Sequence, residues 1–510
     1  MINRSPSLLI FILAQLILVM PETLVPFTAK AASFTVSTPA QLSSALAAAQ
    51  VNGEDDVIRI AQGSYAGNFM YSSHEAHDLV IQGGWTANFA GRVIQPANTV
   101  LDGGMAGTVL VVSSDQEINL TIEGLTIQNG SVVDHDGGGL YISNNRNEPI
   151  QPNTTMIRDC IIRNNVAKTG RVPSRGGGIF LWTSTRVVIA RNTISGNSAI
   201  DLVSAGSEGG GLYVDTSKNL DISNNQFTGN QAYRGGGIWA SANWWNAPDG
   251  EQNSIRANSI RDNQASGDYG DGGGLYCTLY NPASITGNTF SNNSAGRQGG
   301  GLFLHGRGDR SSTLVNNLLA GNTAGSSGGG MCLWIHENTT VSFGMTNNTV
   351  TGNQAGSHGG GLELILADDT ATASLFNNII WGNDSFNPGR DLYIDNDFDD
   401  NYLDSVCTLA NNDFDQSGGG TFLKIPFAFP PGNLSGPDPL FVQPAGGDYR
   451  LGTGSPCLNT GSNAAPGLPA TDIEGNARIQ GSAVDMGAYE GAFVRANSPV
   501  IAPIIMLLQR

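Results

Sequence analysis

Charged residues are few in this 510-residue chain, 13 % in all, and 43 acidic side chains outnumber 25 basic ones. A formal net charge of -18 makes phosphate backbones and anionic lipid poor partners, so no nucleic-acid partner is expected. Cysteines are sparse too: Cys160, Cys277, Cys332, Cys407 and Cys457 lie far apart, and none sits in a C-x-x-C pair. That scatter excludes a disulfide framework and gives no support to structural zinc, while the odd number leaves at least one thiol unpaired. Past its first residues the chain has no apolar run approaching the roughly 20 residues of a membrane span, so no transmembrane span is expected in the mature chain. Long amphipathic stretches of helical period are missing from residues 101–437, which excludes a helical solenoid.

What the chain does have is apolar content of 40 % and a length well beyond one compact core, so it is either several domains or a repeat array. Its start reads as a secretory signal over residues 1–31: Arg4 is the positive start, Leu8 to Met20 the apolar run, and Ala29-Lys30-Ala31 a small-x-small cleavage site. The mature protein is expected to begin near Ala32 and to be secreted or displayed at the cell surface, with outer-membrane association as one form of that display.

Glycine, at 68 residues, carries the main signal. A Gly-Gly-Gly triplet followed by an apolar residue begins at Gly137, Gly176, Gly209, Gly235, Gly272, Gly299, Gly328 and Gly359, at intervals of 26 to 39 residues. Before the later triplets runs a second signature, Asn-x-apolar-x-x-Asn-x-Ala, as in Asn192, Ile194, Asn197 and Ala199, or Asn225, Phe227, Asn230 and Ala232. It recurs from Asn258, Asn288, Asn317 and Asn348, and Cys160 takes the first place in one copy. Fixed spacing inside the signature beside variable spacing outside it describes coils with invariant strands and one variable loop. Leu212 and Val214 alternate with Tyr213, and Leu302 and Leu304 with Phe303, at the period of a strand. The fold expected is all-β, a right-handed parallel β-helix in which the amides of successive coils bond up a column and the glycines turn a tight corner.

Before the repeats, residues 32–100 read as an N-terminal cap and first coils, with Thr38 as N-cap and Pro39 opening a short helix over the end of the core. The repeats occupy 101–437; residues 438–491 have a different texture and form a small C-terminal module, followed by a short tail, 492–510. The Gly-Gly-x-apolar and Phe-x-x-Asn elements, as in Phe227 to Asn230 and Phe290 to Asn293, resemble the repeats of polymorphic outer-membrane proteins, and the fold resembles the pectate-lyase-like β-helices. The run from Asp438 to Glu490, including Asp472-Ile473-Glu474-Gly475-Asn476-Ala477-Arg478 and Asp485-Met486-Gly487-Ala488-Tyr489-Glu490, is similar to the choice-of-anchor Q module. These resemblances imply an exported surface protein and leave two function classes open: a structural or adhesin-like binding protein, and a polysaccharide lyase or glycoside hydrolase.

Three groups of residues are candidates for function. The residue two places beyond each triplet's last glycine forms a column, Tyr141, Phe180, Tyr213, Trp239, Tyr276 and Phe303, then Cys332 and Glu363. Strand alternation turns it outward, either as a face for glycans or a surface-protein partner, or as rings stacked on one another and covered by their own loops. Asp395, Asp397 and Asp399 have the spacing of a calcium loop without its glycine or its last acid, so Ca²⁺ is weighed against a solvated acidic loop and no other cofactor is expected. Asp134-His135-Asp136 could tune an imidazole for acid/base work, and Arg171 and Arg175, in Arg171-Val172-Pro173-Ser174-Arg175, fall one residue short of the pectate-lyase Arg-x-Pro-x-x-Arg pattern. Both loops precede adjacent triplets, where polar residues at a coil corner are the ordinary finding. A groove joining three or more carboxylates to an arginine or lysine would favour the enzyme class.

Overall fold

The computed structural model describes residues 31–491 except 145–152, 184, 202–205, 217–218, 243–252, 308–310, 336–341, 368–370, 396–405, 425–429 and 431. Its strands stack in parallel into four sheets of 13, 13, 9 and 12 strands, and each strand's neighbour comes from the coil before or after. The chain winds as a right-handed β-helix. One coil shows the order: Thr154–Arg158 in the first sheet, Ile161–Arg163 in the second, Val166–Thr169 in the third and Ile179–Thr183 in the fourth.

The repeated motif accounts for the corners. Its first asparagine turns the chain from the first sheet to the second, and its second from the second to the third. At each, the amide Nδ2 donates to the Oδ1 of the asparagine one coil on: Asn192 to Asn225 at 3.0 Å and Asn258 to Asn288 at 2.9 Å in one column. Asn197 to Asn230 at 3.0 Å and Asn322 to Asn353 at 2.9 Å show the same in the other. Each amide also donates to an upstream strand carbonyl, as Asn258 does to Ile222 at 2.8 Å, so these buried groups are satisfied in place. Cys160 lacks the amide, and its backbone N–H alone donates to Asn192. The apolar residue of the motif, such as Ile194 or Phe227, points into one continuous apolar core, and its alanine, such as Ala199 or Ala232, is buried as well.

The triplets turn the third sheet into the fourth. The first glycine of each is left-handed, from φ +72° at Gly137 to +59° at Gly359. The other two have no room for a Cβ, which at Gly300 would lie 2.3 Å from the Gly329 carbonyl oxygen. Their backbones bond triplet to triplet, as Gly300 N to Gly328 O at 3.0 Å and Gly329 N to Gly359 O at 3.0 Å.

At the N-terminal end the helix Pro39–Ala49 lies over the core through Leu42, Ala45, Leu46 and Ala49, and Thr38 Oγ1 accepts from Gln41 N. At the other end the residues after Leu434–Ser435 leave the coil, make one antiparallel pair, Phe441–Gln443 with Asp448–Leu451, and run back along the flank. There the module meets outward asparagines of the last coils: Asn316 donates to the Thr471 carbonyl, Asn347 to Asp485, Asn377 to Ser462 and Asn411 to Thr460. All five cysteines are unpaired and buried, and the Cys457 thiol donates to Asp413 at 3.3 Å.

Candidate functional site

The residue just before each triplet occupies one vertical line: Asp136, Arg175, Glu208, Arg234, Asp271, Gln298, Ser327 and His358. Arg175, Glu208 and Arg234 bridge one another in parallel register, and Gly137 N bonds Arg175 O as Gly209 N bonds Arg234 O. Coil spacing of about 4.8 Å sets charges of alternating sign one above the next. The line's first four members share a cleft of about 600 Å³ with Asp134, His135, Tyr141, Val172, Pro173 and Gly206. That volume lies within the range of small-ligand sites. The two loops picked out by sequence, 134–136 and 171–175, thus meet in one cleft.

Within it Arg175 is paired with a carboxylate and bonded to a phenol. Its Nη2 and Nε bond Asp136 at 2.8 and 3.2 Å, its Nη1 reaches the Tyr213 hydroxyl at 3.3 Å, and the guanidinium lies 5.0 Å from the Phe180 and Tyr213 ring centres. Burial works against that charge, but the Asp136 carboxylate outweighs it and holds Arg175 more firmly protonated than a free arginine. Such an arginine is unsuited to act as a base. Asp134 Oδ1 accepts backbone N–H groups of Arg171 and Gly170 at 2.5 and 2.6 Å, and these bonds, the one from Arg171 foremost, keep its carboxyl below the ordinary value. Asp134 therefore shapes the second loop, while His135 is exposed beside it. Arg171 is exposed and outside the cleft lining.

Glu208 differs from both aspartates. Its carboxyl makes no hydrogen bond among the described residues, and its nearest cation, Arg234 Nη1, is 3.9 Å away. Burial pushes it up to about 7 against the pull of Arg234 and Arg175. Sequence motifs missed Glu208 and Arg234 because neither lies in a recognisable string. The signal available was positional: each immediately precedes a triplet, as Asp136 and Arg175 do.

The aromatic column is continuous and in register from Tyr141 to Phe303. Its rings stack face to face at centroid distances of 5.1, 5.2, 4.4, 6.2 and 5.1 Å. Phe180 and Tyr213 are each 3 % exposed and Phe303 2 %, while Tyr141, Trp239 and Tyr276 are half-buried. Ring faces matched to one another in this way leave no open row for a saccharide, so the column as a whole is a packed spine. Tyr141 is the member that also lines the cleft. Of the acidic candidates, Asp395 accepts from the Tyr393 hydroxyl at 3.0 Å and pairs with Lys424 at 3.2 Å, while Asp397 and Asp399 lie outside the described residues. Among the described residues no group of three or more His, Cys, Asp or Glu side chains is placed to hold a metal ion, and no helix is long and apolar enough to cross a membrane.

The protein is thus a parallel β-solenoid with a polar cleft at one coil corner. Residues 107–319 match the family described as right handed beta helix region, a span containing every residue of the cleft. No curated protein matches the chain.

Proposed function

We propose that this chain is an exported, surface-associated β-helix that binds saccharides in the corner cleft before the first triplets. The observation that carries the reading is the cleft itself: two loops bring an exposed imidazole, an unbonded carboxyl, a loosely held arginine and one tyrosine ring to the walls of one cavity of about 600 Å³. Export is supported by the leading segment of residues 1–31. The likeness to polymorphic outer-membrane protein repeats and to the choice-of-anchor Q module supports display at the surface.

Glycoside hydrolysis is the second reading, favoured by the three carboxylates that the cleft joins to two arginines, as an enzyme of this fold would need, and by the state of Glu208. A carboxyl raised to about 7 and open to a cleft suits a proton donor to a leaving oxygen. Incubating the purified mature protein with acidic and neutral glycans, with and without Ca²⁺, separates the two. Binding is expected with no shortening of any glycan and with affinity reduced about fivefold or more in Tyr141→Ala. Chain cleavage that Glu208→Gln abolishes would install the hydrolase reading, and cleavage that leaves an unsaturated sugar end would point to a lyase.

A further inference from the structure

We infer that the cleft is built for a neutral, hydroxyl-rich saccharide and not for an acidic or an amino sugar, an inference that rests on the saccharide-binding reading above. The argument is a comparison of which charges in the cleft are already committed. Three carboxylates, Asp134, Asp136 and Glu208, face two arginines there. An anionic sugar needs a guanidinium whose charge is uncompensated, and that of Arg175 is met by the Asp136 carboxylate on its Nε and Nη2, with Nη1 turned to Tyr213. Arg234 alone is loosely held, with Nη1 3.9 Å from Glu208 and Nε 3.4 Å from the Tyr269 carbonyl oxygen. A carboxylate reaching it would enter beside Glu208 and would add to the acidic excess of the whole chain.

A cationic amino sugar fares no better. Asp136 is paired with Arg175, Glu208 stands between two guanidinium groups in the vertical line, and Asp134, the one carboxylate with an oxygen to spare, already lies in the field of Arg171.

A hydroxyl both donates and accepts, and what the cleft leaves open is a mixed set of that kind. The second oxygen of Asp134 accepts, Arg234 donates, the Glu208 carboxyl does either according to its proton, and the exposed imidazole of His135 does both. Tyr141 and Pro173 supply apolar wall for the C–H face of a pyranose.

The test uses the full mature protein and oligosaccharides of glucose, mannose and galactose (neutral), galacturonic acid (acidic) and glucosamine (cationic), titrated calorimetrically. Neutral oligomers are expected to bind at least tenfold more tightly than either charged series. Glu208→Ala and Arg234→Ala should each lose tenfold in neutral-sugar affinity, whereas Asp262→Asn, exposed and outside the cleft, should leave it unchanged. Circular dichroism melts identify any variant that fails to fold, and Asp262→Asn serves as the control away from the cleft. Tighter binding of galacturonic or glucosamine oligomers would overturn the ligand class and leave the cleft reading standing. Binding of none of the probes by the folded protein would overturn both.

Discussion

Glycine does two different jobs at the corners, and single substitutions separate them. Gly229 has φ +63° with nothing within 4 Å of a built Cβ, so Gly229→Ala should cost only the left-handed backbone term, about 1 kcal/mol. Gly300 has no positive φ, but its Cβ would lie 2.3 Å from the Gly329 carbonyl oxygen and 2.4 Å from that of Thr323, both backbone atoms of the next coil. Gly300→Ala should therefore push adjacent coils apart and cost about 3 kcal/mol or more, read as a lowered urea midpoint and as lost amide protection confined to neighbouring coils. Equal effects of the two substitutions would refute this division. The same contrast shows what was legible at this scale. Triplets and asparagines announce themselves because one steric demand recurs in every coil, whereas Glu208 and Arg234 are single residues whose meaning lies in register with Asp136 and Arg175. Loops of unequal length before the triplets hide that register in the linear sequence.

At the scale of the element, the outward face of the second sheet changes character along the solenoid. Thr193 and Ser195, Gln226 and Thr228, Ser259 and Arg261 face outward in the middle coils and reach solvent. Further on, the equivalent pairs are Leu318 and Ala320, Thr349 and Thr351, Ile379 and Trp381, and all but Trp381 are buried. The C-terminal module covers them, with Leu451, Cys457 and Met486 packed on Ile379. The sequence showed that the module departs from the repeat, but not where it lies: the trace it leaves is only Leu318, Ala320 and Ile379 at positions that are polar in the middle coils. The outward asparagines beside this face hold the module's backbone. Asn347 donates to the carbonyl oxygens of Asp485 at 2.9 Å and Gly487 at 3.2 Å, from φ +56°. Asn347→Gly keeps the backbone conformation free of strain and deletes both bonds, together with the one its Oδ1 accepts from Asn377 at 3.3 Å, so it should loosen the module by about 2 kcal/mol. Hydrogen exchange should quicken over residues 438–491 and leave the coils before Gly272 unchanged; a module as protected as in the wild type would show that apolar cover alone seats it.

For the whole molecule, buried carboxyls set the response to pH. Burial raises Glu208, Glu363, Asp413 and Glu490 to about 7, and Asp56 and Asp391 to about 6. In the unfolded chain such groups titrate near 4. Below that value both states hold the protons; between about 4 and 7 the folded protein keeps protons that the unfolded chain has released, so stability falls as pH rises through this window. Asp134 and Asp448, held below their ordinary values, act in the opposite sense, but their contribution is lost only as pH drops below about 4. The two sets together place the optimum on the mildly acid side, and the melting temperature at pH 5 should exceed that at pH 8 by about 3 °C or more. Self-repulsion of a chain with net charge -18 acts in the same direction. A variant separates the two causes. Glu363, 4 % exposed and bonded by Gln298 Nε2 at 3.3 Å, loses its titration but little of its shape in Glu363→Gln. If the buried carboxyls govern, this variant should be the more stable protein at pH 8, unchanged at pH 5, and less sensitive to pH between them. A pH dependence identical to the wild type would leave surface repulsion as the cause.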